Sequence, residues 1–330
     1  MTGSAGFIGR HLVAALAERG DDVLGVDRGE APGETRHAFE RVDMLDAGAL
    51  SGIVAAHAPE AICHLAARTD LDEGAGLTGY AVNVEGVQNL IRAIRTTPSV
   101  GRALFTSTQL VCRVGYTPRS DEDYQANTLY GRSKVLGEQI VRREDGGGVT
   151  WGIVRPTTVW GPGMSAHYQR FFRMIRRGLY VHVGRPRRKS FGYVGNVVHQ
   201  YLRLLEAPAE RVHRRTFYVG DYEPLDLHRW ANALADAFGA RRPLTIPDAL
   251  ARWGARAGDA VNALGWRGFP LNSFRLNNVL TEYTFDLGPT REVCGDNPYS
   301  LEAGVAATAA WFAARPGARR KWWARGHLVR

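Results

Sequence analysis

A glycine-rich stretch at the start of the chain runs directly into a segment of helical periodicity. Gly3, Gly6 and Gly9 have the spacing G-x-x-G-x-x-G, and apolar side chains recur at helical intervals over residues 10–19. Glycines at these positions let the backbone approach a pyrophosphate, and the N-terminus of the helix supplies N–H groups and a partial positive charge. The stretch therefore predicts the first turn of a dinucleotide-binding α/β unit.

The next segment places an acidic residue at the end of a predicted strand, where it could bind a ribose. Residues 22–26 are predicted to form a buried strand, and Asp27 stands at its end, 18 residues beyond Gly9. A carboxylate there can accept hydrogen bonds from both hydroxyls of an adenosine ribose and repels a 2′-phosphate, which favours NAD over NADP. The neighbouring Arg28 acts against that preference, since a cation suits a 2′-phosphate.

The start of the chain departs from this pattern. Only Met1 precedes Thr2, whereas a strand normally leads into such a glycine loop. Either the chain begins further upstream, or the sheet lacks its central first strand. In the second case neighbouring strands expose unpaired backbone groups, and we expect a damaged or substituted edge there.

Strand and helix patterns continue to alternate along the chain. The segments that follow predict a strand ending in an acid, a strand ending in small residues, a long amphipathic helix and a β-rich run, at residues 40–44, 61–67, 80–95 and 102–112. The β-rich run carries three adjacent hydroxyls, Thr106, Ser107 and Thr108. Polar groups on a buried strand need partners or a function.

Tyr130 and Lys134 are four residues apart in a predicted helix, so they share one face of it. Lysine is rare here: the 42 basic residues include only Lys134, Lys189 and Lys321. An ammonium beside a phenol favours the phenolate and lowers its pKa, which would make Tyr130 a general acid/base. The structural alternative is an ordinary helix start with an aromatic side chain and a surface lysine.

Together these motifs resemble extended short-chain dehydrogenases/reductases, namely the NAD-dependent epimerase/dehydratase family typified by UDP-galactose 4-epimerase. The resemblance runs nearly the full length and rests on T-G-S-A-G-F-I-G at 2–9, Asp27, H-L-A-A at 64–67, N-V-E-G-V-Q-N-L at 83–90, F-T-S-T at 105–108, Y-G-R-S-K at 130–134 and R-P-T-T-V-W-G-P at 155–162.

The resemblance implies an α/β fold with a doubly wound parallel sheet, the Rossmann fold, and a smaller C-terminal substrate-binding lobe. We expect residues 1–160 to form the NAD-binding domain and residues 161–330 mainly the lobe, with residues 190–225 returning to the sheet. Family members usually pair through the two long helices that correspond here to residues 80–95 and 130–143, so a homodimer is expected.

Site residues carry over by position. The resemblance implies a nucleotide-diphosphate sugar as substrate and NAD as cofactor, with catalytic residues Thr108, Tyr130 and Lys134. Residues implied to bind NAD are Gly3, Gly6, Phe7, Ile8, Gly9, Asp27, Arg28, Asp43, Met44, Leu65, Ala66, Ala67, Asn83, Tyr130, Lys134 and Pro156. Residues implied to bind substrate are Thr108, Gln109, Thr158, Lys189 and Arg275.

Departures from the family pattern narrow the reaction. Gln109 and Leu110 stand where the dehydratases carry Asp-Glu, so elimination lacks its carboxylates. A nucleotide-sugar 4-epimerase, which moves hydride between C4 and bound NAD, needs only Thr108, Tyr130 and Lys134. The alternatives are an NAD(P)H-dependent reductase of a 4-keto nucleotide sugar, a dehydratase, and a non-catalytic NAD-binding regulator. The intact catalytic set argues against the regulator.

Charged residues are unevenly distributed along the chain. The formal net charge is +9, and basic residues crowd into residues 170–189 and into the tail after Glu302. No motif points to nucleic acid. The tail at 319–325 combines cations with paired tryptophans, which suits an anionic membrane surface. Such tails are more often solvated or packed on their own domain, so we do not expect this tail to contact a membrane.

The cysteines indicate a reducing compartment. Cys63, Cys112 and Cys294 lie far apart with no C-x-x-C, which argues against a disulfide framework and against a zinc site. A cytoplasmic enzyme without a metal is therefore expected. The longest apolar run, residues 303–314, is too short to cross a bilayer.

Overall fold

The computed structural model describes residues 1–31, 37–263 and 273–315, with only the backbone described at Ala75, His167, Ala263, Phe274 and Arg275. The strands are β1 (Leu24–Asp27), β2 (Ala38–Arg41), β3 (Ala61–His64), β4 (Arg102–Thr106), β5 (Thr150–Pro156), β6 (Thr158–Trp160), β7 (His182–Val183), β8 (Arg188–Lys189), β9 (Phe191–Tyr193), β10 (Arg215–Val219), β11 (Leu225–Asp226) and β12 (Thr245–Ile246).

The α-helices are α1 (Phe7–Arg19), α2 (Ala47–His57), α3 (Glu85–Arg95), α4 (Leu129–Arg143), α5 (Ala166–Arg176), α6 (Val194–Glu206), α7 (Ala209–Val212), α8 (Leu227–Ala237), α9 (Asp248–Ala263), α10 (Ser273–Leu280), α11 (Gly288–Cys294) and α12 (Leu301–Ala313). Short 3₁₀ turns lie at Glu73–Ala75, Thr78–Asn83, Gln109–Val111 and Asp145–Gly147.

The central sheet is parallel and is built in two parts. Four strands follow the order β10-β5-β4-β3, and β1 pairs with β2. Thr2 joins the parts, because it pairs with Val26 in β1 and with His64 at the end of β3. The Met1 amine donates to the Leu24 carbonyl at 2.6 Å. Thr2 therefore lies between β1 and β3 and connects the two parts of the sheet.

Alternate side chains of the central strands enter opposite layers of helices. In β4, Leu104 packs in a cluster with side chains of α1 and α6, whereas Ala103 and Phe105 pack in another with side chains of α2, α3 and α4. This alternation is the period of two that a strand imposes. Helices therefore cover both faces of a parallel sheet, and the predicted doubly wound α/β fold is confirmed.

The second half of the chain adds short ladders and helices to this core. β6 pairs with β9, β8 with β11, and β7 with β12. β10 returns to the main sheet beside β5. Among the described residues no helix is both long and apolar enough to cross a membrane.

Several element boundaries differ from those predicted, among them those of the strands expected over 40–44 and 61–67, which end at Arg41 and His64. The prediction of a single helix over residues 80–95 is wrong, because a 3₁₀ turn ends at Asn83 and α3 begins at Glu85. The Tyr80 hydroxyl donates to the Asp70 carbonyl at 2.9 Å, and the Asn83 amide donates to the Arg68 carbonyl at 2.9 Å. These contacts hold the turn out of helical register. The β-rich run over 102–112 likewise ends as a strand at Thr106.

Candidate active site

Helix α4 begins against the turn that follows β4. The Thr128 hydroxyl accepts a hydrogen bond from the Gly131 amide at 3.0 Å and caps the first turn. A Cβ at Gly131 would lie 2.3 Å from the Leu110 carbonyl oxygen, so only glycine allows the helix to approach the turn this closely. The approach brings Tyr130, the second residue of α4, beside Thr108.

The Tyr130 hydroxyl lies close to the Thr108 side chain. Tyr130 is buried, and burial raises its pKa to about 12, while the neighbouring Thr108 hydroxyl acts in the opposite direction. The lowered pKa expected from the sequence is therefore wrong for this structure, because the loss of hydration outweighs the favourable contacts. The Tyr80 ring lies 6.4 Å from the Tyr130 ring, centroid to centroid.

Lys134 lies one helical turn after Tyr130 and is buried. Burial lowers its pKa to about 8, and the Glu138 carboxylate, one turn further on, raises it. The ammonium therefore stays mostly charged near neutral pH. Burial is the main cause that lowers the pKa of His64 to about 3, and the positive charge of Lys134 lowers it further.

His64 was not predicted as a site residue, although it belongs to the H-L-A-A motif. It is 1% exposed, and its Nδ1 is hydrogen-bonded to the Thr2 hydroxyl at 2.8 Å. Its Nε2 has no hydrogen-bond partner among the described residues. His64 is thus held neutral between the bridging residue Thr2 and the Lys134 ammonium.

His64 should make the protein sensitive to acid. Its folded pKa of about 3 lies below the usual 6.5, so the unfolded chain binds the proton more tightly and stability falls as pH drops below 6.5. We expect the free energy of unfolding to fall by about 2 kcal/mol between about pH 7.5 and pH 5 through this group. Urea unfolding at both pH values measures it.

His64→Asn is the matched control for that measurement, because the amide can still bond Thr2 but does not titrate. The substitution removes the same packing at both pH values. The test therefore compares only the change in the free energy of unfolding between about pH 7.5 and pH 5. An undiminished pH difference in the variant would show that other groups cause the acid sensitivity.

The glycine loop has the shape of a close-packed cradle. A Cβ at Gly3 would lie 2.5 Å from the Ala66 nitrogen, and a Cβ at Gly9 would lie 2.0 Å from the Gly3 carbonyl oxygen. Gly3 also has a φ of +72°, which favours glycine. The loop therefore sits directly above the end of β3 and opens onto the N-terminus of α1, where Phe7 and Ile8 stand. These features fit a bound pyrophosphate.

Asp27 ends β1 beside this loop. Its Oδ2 accepts from the Ala5 amide and its Oδ1 from the Gly29 amide, both at 3.0 Å. The carboxylate thus fixes the loop and keeps further lone pairs for other donors, as a ribose site requires. Arg28 is exposed, and its carbonyl accepts from Arg41.

The remaining predicted cofactor residues line the same edge of the sheet. Asp43 is exposed and accepts from the Leu45 amide at 2.9 Å, and Met44 is buried. Leu65, Ala66 and Ala67 follow β3 and are partly buried, and Pro156 ends β5.

Asn83 has its side chain fully engaged inside the protein. Its Oδ1 accepts from the Arg68 amide at 2.8 Å, and its Nδ2 donates to the Arg68 carbonyl and the Ser133 hydroxyl, both at 2.9 Å. Ser133 in turn donates to the Tyr130 carbonyl at 2.7 Å. Asn83 therefore ties the loop after β3 to the helix that carries Tyr130.

The predicted substrate residues are also engaged with protein groups. The Gln109 Nε2 donates to the Thr158 hydroxyl at 2.9 Å, which leaves the buried Gln109 Oε1 without a partner among the described residues. The Lys189 Nζ donates to the Asn278 carbonyl, and burial lowers the pKa of Lys189 to about 8. The side chain of Arg275 lies outside the described residues.

The three adjacent hydroxyls at the end of β4 have different surroundings. Thr106 is hydrogen-bonded to the Tyr201 hydroxyl at 2.7 Å, and Thr108, which lies beside Tyr130, accepts from the Leu110 amide at 3.2 Å. Ser107 is buried, and its hydroxyl has no partner among the described residues. Thr108 is thus the hydroxyl that faces the candidate acid/base.

A sequence model of the NAD dependent epimerase/dehydratase family matches residues 1–220. A 3-beta-hydroxysteroid dehydrogenase from Mycolicibacterium neoaurum is 30% identical over 265 residues, which cover 74% of this chain and 70% of that protein. A 2-alkyl-3-oxoalkanoate reductase from Stenotrophomonas maltophilia is 28% identical, with 92% of this chain and 96% of that protein covered.

A solved structure resembles the fold over almost its whole length. UDP-glucose 4-epimerase from Thermotoga maritima, crystallised with UDP-glucose, superposes with a TM-score of 0.72 at 22% identity. The superposition covers 94% of this chain and 97% of that one. At this identity the likeness is evidence for the fold alone.

Proposed function

Because the chain belongs to the NAD dependent epimerase/dehydratase family, we propose that it is an oxidoreductase that interconverts a secondary alcohol and a ketone on a largely apolar substrate. Family membership makes the chain an NAD-dependent enzyme, so these two expectations from the sequence are confirmed. The reaction and the substrate class are the proposal.

The placement of Tyr130 beside Thr108, with Lys134 one helical turn further along α4, carries the proposal. When bound, NAD supplies the acceptor or donor of hydride. Thr108 orients the substrate oxygen, and the Tyr130 hydroxyl takes up or gives back its proton. Lys134, one helical turn further along α4, carries a positive charge and would bind the cofactor ribose.

The substrate class is supported by how the polar side chains are used. Lys189 and Thr158, which the family resemblance assigns to a sugar diphosphate, are bonded to Asn278 and Gln109. The relatives act, by their names, on a hydroxysteroid and on an alkyl-oxoalkanoate, which carry a secondary alcohol or ketone on an apolar skeleton.

The second candidate is the nucleotide-sugar 4-epimerase expected from the sequence. It uses the same three side chains, and the fold matches that of an epimerase bound to UDP-glucose over 94% of this chain. The two functions differ in the fate of the hydride, since an epimerase returns it to the substrate within each turnover.

Assays with two substrates separate these candidates. Purified protein with NAD+ and a 3β-hydroxysteroid should produce NADH in proportion to the ketone formed. Interconversion of UDP-galactose and UDP-glucose without net NADH would instead establish the epimerase. A protein that binds NAD and does neither would fit the non-catalytic regulator.

Asp27 should set the preference for NAD. Asp27→Asn removes the negative charge that repels a 2′-phosphate, and we expect NAD to bind about 10- to 100-fold more weakly while the ratio of NADP to NAD affinity rises. Titration of both cofactors, followed by fluorescence, measures the ratio. A ratio that does not change would remove Asp27 from the ribose site, whatever the damage to the loop.

Other predictions from the sequence remain proposals. We propose the division near residue 160, the homodimer through residues 80–95 and 130–143, and the cytoplasmic location. Limited proteolysis tests the division, and sedimentation velocity tests the homodimer.

A further inference from the structure

Exposed apolar side chains concentrate in one part of the C-terminal half. Leu250 and Trp253 on α9 are 59% and 70% exposed. Val181 and Leu244, directly before β7 and β12, are also exposed. We call these four side chains the α9 surface.

The four side chains lie on or beside elements that pack together. Ala251 and Ala255, on the inner side of α9, contact the short β7–β12 ladder through Val183 and Ile246. Leu250 and Trp253 lie on the outer side of the helix, because each residue turns it by about 100°. The inner side of α9 is thus covered by the ladder, and its outer side is apolar and exposed.

The ladder extends the same surface. The Leu244 carbonyl accepts from the His182 amide at 2.9 Å, which places Leu244 next to Val181. Side chains two apart in a strand share a face, so Val181 and Leu244 lie on the face that carries Val183 and Ile246. Beyond α9 that face remains exposed.

The charge around the α9 surface is positive. Residues 146–205 contain no acid at all. Arg177, Arg241, Arg252 and Arg256 are exposed, and none of them forms an ion pair among the described residues. Helix α9 also carries two acids: Asp248 is bridged to Arg187 at 3.5 Å, and the exposed Asp259, one turn from Arg256, accepts from the Ser273 amide at 3.1 Å. The surface therefore combines a tryptophan, aliphatic side chains and unpaired arginines.

We propose that the α9 surface docks on a lipid bilayer that carries anionic headgroups. Tryptophan and leucine partition into the headgroup boundary, and arginines nearby are attracted to anionic lipid. A second copy would place the same arginines against each other, since a two-fold contact pairs identical surfaces. The residues after Glu302 contain no acid, so the basic tail would be repelled as well.

Helices α9 and α10 link the α9 surface to Lys189, a predicted substrate residue, so this step rests on the proposed function. The Lys189 ammonium bonds the Asn278 carbonyl of α10, and α10 packs with α9 through Leu276. The helix pair thus connects the α9 surface to the substrate side of the protein. An apolar substrate dissolved in the bilayer would reach the site from there.

Co-sedimentation with vesicles tests the proposal. The full chain should bind phosphatidylcholine vesicles containing roughly a quarter phosphatidylglycerol and bind pure phosphatidylcholine vesicles much more weakly. Leu250→Ser with Trp253→Ser should reduce binding about 100-fold. Arg252→Gln with Arg256→Gln should reduce it about tenfold and weaken its salt dependence.

The matched control is Leu45→Ser with Leu71→Ser, which changes two side chains that are 43% and 56% exposed elsewhere on the protein. This variant should bind vesicles like the wild type. Quenching of tryptophan fluorescence by brominated lipid should fall in Trp253→Phe, which gives a readout on a variant that keeps an aromatic ring.

Three outcomes would overturn the proposal. The first is a Leu250/Trp253 variant that binds vesicles as the wild type does. The second is loss of binding in a chain ending at Arg315 while that variant still binds, because the tail would then be the membrane element. The third is a wild type that ignores vesicles but forms dimers that this variant abolishes in sedimentation velocity.

Discussion

Tyr130→Phe should lower kcat by about 10³-fold or more while the dissociation constant of NAD changes by less than about threefold. The phenol hydroxyl is the proton donor and acceptor of the proposed reaction, and phenylalanine removes only that atom from a buried ring. Steady-state kinetics with the preferred substrate and cofactor titration measure the two effects. Full turnover in this variant would refute the role of Tyr130.

Tyr201→Phe is the matched control. Tyr201 is also buried and is hydrogen-bonded to a threonine, Thr106, at 2.7 Å. Both variants delete one tyrosine hydroxyl from a Tyr–Thr pair, at a cost of about 1 kcal/mol in stability. We expect kcat of Tyr201→Phe to stay within a few-fold of the wild type, so a loss seen only at Tyr130 is chemical.

The pH profile adds a second test of the same residue. Since burial raises the pKa of Tyr130 to about 12, only a small fraction of the side chain is phenolate near neutral pH. Oxidation of the alcohol uses that phenolate, so its rate should rise with pH, and reduction of the ketone, which uses the phenol, should not. The residual rate of Tyr130→Phe should lack the rise.

The sequence alone predicted those features whose geometry follows directly from the spacing of residues. The glycine loop follows from the contacts that a Cβ at Gly3 or Gly9 would make. Tyr130 and Lys134 share a helix face because four residues make about one turn. The fold class follows in the same way from alternating strand and helix patterns.

Tertiary contacts decided what the sequence did not. The helix expected over residues 80–95 breaks because Tyr80 and Asn83 bond to a distant loop. The pKa of Tyr130 depends on how deeply α4 is buried, which its spacing from Lys134 does not reveal. The ammonium of Lys189 donates a hydrogen bond to a carbonyl on α10, and no local sequence pattern predicts that contact.

A buried ion pair beneath the candidate site was also missed, although the pattern held a clue. Glu138 lies four residues after Lys134 and eight after Tyr130, on the same helix face. Arg155 stands in the R-P-T-T-V-W-G-P motif that supported the family resemblance. A carboxylate in line with a buried lysine needs a partner, and a motif arginine is a natural candidate.

Removing either member of this pair should be strongly destabilising. Arg155 Nε donates to Glu138 Oε1 at 2.8 Å and Arg155 Nη2 to Glu138 Oε2 at 2.7 Å, with the two side chains 1% and 2% exposed. The Tyr124 hydroxyl donates to Glu138 at 3.0 Å, and Arg155 donates to the Tyr218 hydroxyl at 3.0 Å. Glu138→Ala or Arg155→Ala leaves the other charge buried and unpaired.

We expect each single variant to lose about 3–5 kcal/mol of unfolding free energy in urea denaturation, and the double variant Glu138→Leu with Arg155→Met to lose less than either. The control is Glu302→Gln, which breaks the exposed pair with Arg229 and should cost less than about 0.5 kcal/mol. Additive losses in the double variant would contradict a coupled pair.

Because the Glu138 carboxylate raises the pKa of Lys134 against the effect of burial, Glu138→Leu should also shift the pH dependence of NAD binding to lower pH.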